Sequence, residues 1–158
     1  MEFYNNSQYR GSIENKKTLV LDSETLGTTT TFTKPLTEPL KIDAVTDVYL
    51  DSFTTFKCKT SDDNTEAGFL LNINEFNSNV ATNNSLFSNT IFIPNEQSTA
   101  SDPSITKTHK GKKLNYVGYL LPQNIHRLTG TITALDGSTT MGVSGFRFIA
   151  EFVLITRE

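Results

Sequence analysis

The sequence predicts an all-β protein, an antiparallel sandwich or barrel of about eight strands, the count natural to a single jelly roll. Three observations carry this. Twenty-four threonines, against few Ala, Glu and Lys, tilt the chain toward strands and loops. No stretch of helical length keeps an apolar stripe at 3.6-residue spacing. Short alternating apolar runs instead recur between clusters of Asn, Ser, Thr and Asp. With no helix alternating between strands, a parallel α/β fold is excluded.

The first run is KTLVL, 17–21. TLGTTTTFTKPLTEP, 25–39, reads as a long loop or edge arm rather than a linker, because too little chain precedes it. LKIDAVTDVYLDSFTTFKC, 40–58, is long enough for two strands. In it Leu40, Ile42 and Ala44 alternate with Lys41 and Asp43, and the phase slips at Val45. Val48, Leu50, Ser52, Thr54 and Phe56 then share one face. GFLLNINEF, 68–76, points Phe69, Leu71 and Ile73 one way and Leu70, Asn72 and Asn74 the other. NTIFIP, 89–94, is a short strand stopped by Pro94, and 95–113 reads as a long loop. LNYVGYLL, 114–121, is a strand ended by Pro122. RLTGTITAL, 127–135, sends Leu128, Gly130, Ile132 and Ala134 inward and Thr129, Thr131 and Thr133 outward. Asp136-Gly137 follows as a hairpin-type turn. GFRFIAEFVLIT, 145–156, is apolar on both faces apart from Arg147 and Glu151, which predicts a central strand covered on both sides. Residues 1–39 form an arm and the first strand, and 40–158 the remainder of one domain.

The chain has 158 residues, the size of one domain, with 36% hydrophobic residues and 11 phenylalanines to dominate one core. A net charge of -3 argues against wholesale polyanion binding. The single cysteine, Cys58, forms no intrachain disulfide and reads as a buried, inert thiol in a strand. The N-terminus carries no apolar signal core, and no apolar run approaches the ~20 residues of a membrane-spanning helix. A soluble protein made in a cytoplasm is expected. The N-x-S sequons at Asn5 and Asn83 are then chance matches.

The densest candidate chemistry is KTHKGKK, 107–113, followed by tyrosines. Lys107, His109, Lys110, Lys112 and Lys113 beside Tyr116 and Tyr119 could grip a single strand of nucleic acid by charge and stacking. A solvated loop feeding a strand, or a contact with an acidic protein neighbour, explains the same residues without an RNP-type motif or a second basic stretch. Asp43, Asp47 and Asp51 recur every four residues; in a strand each step is roughly 13 Å, too far to share a metal. Asp62 and Asp63 lack the ordered ligand spacing of a calcium loop. His126 reads as a turn or interface residue, and two histidines with one cysteine do not assemble a structural zinc site. Ser144 in GVSG is not a nucleophile elbow, and no P-loop or dinucleotide fingerprint occurs. No catalytic, cofactor-binding or metal-ligating residue is assigned, and no cofactor is expected.

KIDAVTDVYLDSFTTF, FLLNINEFN, IFIPNE, HKGKKLNYVGYLLP, LTGTITALDG and FRFIAEFVLI, in that order over 40–157, resemble segments of small single jelly-roll capsid proteins of large icosahedral DNA viruses. The likeness is to the penton, or vertex, protein and its minor-capsid relatives. It is a likeness of β-rich text, not of a catalytic signature, and residues 1–39 do not carry it. It implies a non-enzymatic structural protein that forms a homopentamer at the five-fold vertex. Its partners would be its own copies, the major capsid protein and other minor capsid proteins, with neither membrane insertion nor nucleic acid involved. The virion would be its location. Candidate subunit-interface residues are the outward aromatics Phe3, Tyr4, Tyr9, Phe32 and Phe87, and the basic set Lys107, His109, Lys110, Lys112 and Lys113. The alternative is a glycan-binding β-sandwich module on a virion surface, weakened by the lack of any Trp platform. A cupin-like enzyme would want a His-rich metal set that two histidines do not provide.

Overall fold

The computed structural model describes residues 15–58, 68–94, 106–110, 113–140 and 142–157, with backbone alone at 106–110 and 142–144. Alternating apolar residues and β-branched threonines set the local structure, and nine strands result among the described residues. They are β1 (Lys16–Asp22), β2 (Thr31–Ile42), β3 (Thr46–Cys58), β4 (Gly68–Ile73), β5 (Ile91–Pro94), β6 (Thr106–Lys110), β7 (Asn115–Leu120), β8 (Gln123–Thr133) and β9 (Gly142–Thr156). One 3₁₀ turn, Ser85–Phe87, interrupts the β4–β5 connection.

The strands form two antiparallel sheets, making a β-sandwich. One sheet runs β1-β9-β3, with β6 and β7 lying in succession along the far side of β3; the other runs β2-β8-β4-β5. The first half of the chain pairs with the second in nested order: β1 with β9, β2 with β8, β3 with β6 and β7, and β4 with β5. Pairings of β3 with β9 and of β4 with β8 join these couples into sheets.

Phenylalanines fill the space between the layers. Phe53, Phe146, Phe148 and Phe152 of the five-strand sheet, Phe32 and Phe69 of the other, and Phe76 of a connection are all buried. Phe148 stacks beside Phe53 at 5.7 Å and meets Phe32 edge-on at 5.6 Å, while Phe53 meets Phe69 at 5.1 Å. Phe76 closes one end against Phe152 at 5.1 Å. Cys58, the single cysteine, is buried at the end of β3 and is not in a disulfide.

The break at Val45 separates β2 from β3, as the phase slip predicts. Five expectations change. Residues 31–39, read as a long loop or edge arm, are strand: β2 is an edge strand with a register shift between Pro35 and Leu40, a setting in which Pro35 and Pro39 are tolerated. Residues 106–110 are also strand, because the long β3 leaves an edge that β6 pairs. In β3 a bulge at Leu50/Ser52 sets two residues against Glu151, so the phase inverts. Phe53 and Thr55 face the core, and Phe56 stands outside, 38% exposed. Asp136-Gly137 is not a hairpin: β8 and β9 belong to different sheets, so the turn carries the chain between layers. Finally, β9 is central in its sheet but buried on one face only. Phe146, Phe148, Ala150, Phe152 and Leu154 point in, while Ile149, Val153 and Ile155 are half-exposed outside.

Gly130 lies where β8 passes β4, and a Cβ there would fall 1.8 Å from the Asn72 carbonyl oxygen. Phe148→Ala is expected to lower unfolding free energy by about 3–5 kcal/mol, read from urea denaturation. Gly130→Ala should also destabilise the fold and raise amide exchange in β4 and β8 first. A Phe148→Ala loss below about 1 kcal/mol would mean that the layer between the sheets does not depend on this ring.

Candidate subunit-contact surfaces

The outer face of the five-strand sheet is built by the same alternation that builds the core. On it, Val20 stands opposite Glu151, Val153 opposite Tyr49, and Ile155 opposite Asp47. Tyr49 and Tyr116 touch edge-on at 5.7 Å. Val20 is 51% exposed and Tyr116 43%. At one end a hollow of about 290 Å³ is lined by Thr54, Thr55, Phe56, Arg147 and Ile149.

Ion pairs bracket this apolar strip. The Arg147 guanidinium donates to Asp22 through Nε at 2.9 Å and through a second contact from Nη2. Arg157 donates to Asp47 Oδ1 from Nε and Nη2 at 2.9 and 2.7 Å, and its guanidinium lies over the Tyr119 ring. The hydrogen bond from Arg147 holds the Asp22 carboxyl below its ordinary value. Asp47 raises Arg157 in the same manner, by accepting its hydrogen bonds.

On the opposite sheet the 3₁₀ turn brings Phe87 edge-on to Phe92 at 6.0 Å. Phe87 is half-buried and Phe92 is 45% exposed. Leu86 packs against Gly137, whose φ of 79° and close neighbour both exclude a side chain. Asp136 organises that turn: it accepts from the Thr139 hydroxyl, and its Oδ1 accepts from the Thr139 and Ser138 amides at 2.8 and 2.9 Å. These bonds lower its pKa to about 2, the Thr139 hydroxyl contributing most.

The structure scatters the residues singled out in the sequence. Phe32 is not an outward contact but a core residue at 5% exposure, because β2 alternation turns it toward Phe148. Phe87 remains at the surface. Lys107, His109 and Lys110 lie in β6, where Lys107 pairs with Thr55 and Lys110 with Phe53 by backbone register. Lys113 is exposed, and its amide donates to the Asp51 carbonyl at 3.1 Å. Phe3, Tyr4, Tyr9 and Lys112 lie outside the described residues, as do Asp62 and Asp63. His126 is exposed on β8 rather than in a turn. Among the described residues no three His, Cys, Asp or Glu side chains come together as metal ligands. The outward row Val20, Ile149, Val153 and Ile155 escaped the sequence reading, although strict alternation in β9 was its signal.

Comparison with known protein families, curated proteins and solved structures gives no match.

Asp136 binds its proton more weakly in the fold than the free carboxylate value of 3.8. Its contribution is therefore complete above pH 3.8 and lost as pH falls toward 2. NMR titration should place its midpoint near 2, and Asp136→Asn should abolish the acid-induced change in the Thr139 amide. Arg147→Leu should raise the Asp22 midpoint toward 3.8, and an unmoved midpoint would remove Arg147 as the cause.

Proposed function

We propose that this chain is a structural capsid subunit, a penton-like jelly roll that self-associates as a pentamer at the vertices of an icosahedral viral shell. It acts through surfaces, without chemistry on a substrate. The single observation that carries the reading is the nested pairing of the strands. Rolling up one long antiparallel hairpin of four strand couples would give a jelly roll, and the sheet orders β1-β9-β3-β6/β7 and β2-β8-β4-β5 support that reading. The order 1-9-3-6 requires connections that cross between layers at the ends of the sandwich, and 23–30, 43–45, 121–122 and the turn that follows β8 do so.

The outer face supports the same reading. A ring around an axis uses heterologous contacts, in which one patch meets a different patch of the next copy. Such an interface needs roughly 800 Å² per partner with apolar or aromatic anchors at its centre and a polar rim. Val20, Ile149, Val153 and Tyr116 supply the anchors, with Arg147–Asp22 and Arg157–Asp47 at the rim. Major and minor capsid proteins would be its neighbours, and the virion its place. Lys107 to Lys113 would face an acidic neighbour.

Native mass spectrometry at high micromolar concentration should show pentamers, and purified particles should contain the chain. Val153→Asp, which sets a charge among the anchors, should weaken assembly by at least about tenfold while leaving the melting temperature near that of wild type. Exclusive monomer at that concentration, with no copy in particles, would end the proposal.

A further inference from the structure

Four strand positions border the two sheets, and three are blunted. β2 carries Pro35, Pro39 and a register shift between Pro35 and Leu40. β5 has four residues and ends on Pro94. The border along β3 is divided between the short strands β6 and β7. β1 is the exception. Its seven residues pair with β9 without a register shift, and none is proline. Its other side lines an open groove of about 760 Å³, walled opposite by residues 34–41. An edge this regular is a template for strand addition.

Its two ends show which groups face the groove. The Thr156 amide donates to the Asn15 carbonyl at 3.0 Å, and the Ser23 amide donates to the Phe148 carbonyl at 3.0 Å. Antiparallel alternation therefore turns odd-numbered amides and carbonyls toward β9. Those of Lys16, Thr18, Val20 and Asp22 point into the groove.

We propose that β1 is a self-association edge, on which a second copy of this chain lays its own β1 antiparallel about a two-fold axis at Leu19. Among the described residues only the even-numbered backbone groups of β1 lack a strand partner, and this register pairs even with even along the entire strand. Lys16 meets Asp22 of the partner subunit, and Thr18 meets Val20 of the partner subunit. The four pairs exchange about eight hydrogen bonds. Charge favours the antiparallel sense. KKTLVLD is basic at its start and acidic at its end, and Lys16 and Lys17 are exposed with no ion pair among the described residues. Asp22 already holds Arg147, so Lys16 of the partner subunit joins that cluster on the outer face. The pairing is isologous and does not itself close a ring of five.

Sedimentation velocity on the full chain at low salt tests this. Wild type should form a reversible dimer at micromolar concentration. Val20→Pro removes an amide that the β1–β9 ladder does not use; symmetry removes two intersubunit bonds, and the dissociation constant should rise about thirty-fold. Lys16→Asp alone and Asp22→Lys alone should each be monomeric, since each sets like charges opposite. Mixed in equal amounts they should dimerise again. Wild-type monomer at high micromolar, a dimer insensitive to Val20→Pro, or failure of the mixture to associate would each overturn the proposal. Slow exchange of the Val20 amide in a monomer would do so too, by giving the edge to residues 1–14 or another segment of the same chain. A ring of five that persists unchanged in the Lys16→Asp variant would sink this pairing and leave the capsid reading standing.

Discussion

The fold depends on one layer of aromatic contact. Phe148 touches Phe53 within its own sheet and Phe32 across the sandwich, while Phe53 continues to Phe69. Rings of this size each contribute roughly 1.5–3 kcal/mol on burial, with a further increment from edge-on geometry. The backbone is arranged around the need to keep them inside. Had β3 continued its starting phase, Phe53 would stand in water. The bulge opposite Glu151 costs ladder regularity and returns that ring to the interior.

Turning these rings inward has a consequence at the surface. Alternation that buries Phe146, Phe148 and Phe152 projects Arg147, Ile149, Glu151, Val153 and Ile155 outward, so the outer row of β9 is apolar at three of these five positions. Carboxylate–arginine pairs lie at each end of the strip and the tyrosine pair beside it, so the face is apolar at its centre and charged at its border.

The two sheets differ in how their edges are managed. Proline, bulge and brevity protect β2 and β5, the usual defences against unwanted pairing. β1 lacks them and instead carries charges of opposite sign at its two ends. Among the described residues no strand pairs the far side of β1, which borders an open groove.

Local pattern alone determined the all-β class, most strand positions, the break at Val45, the inward set of β8 and the tight turn at Asp136-Gly137, because period-two alternation and turn chemistry are written in adjacent residues. It left β6 illegible: Thr106–Lys110 has no apolar alternation, and only the unpaired edge of β3 makes it a strand. It also misplaced Phe32, Phe53 and Phe56, since a bulge or an edge strand inverts phase without changing composition. The nested pairing, the crossing of the chain between layers after β8, and the exposure of one face of β9 arise only in three dimensions. Each depends on which distant strand becomes a neighbour, and hydrophobic pattern specifies that a face is buried without specifying by what.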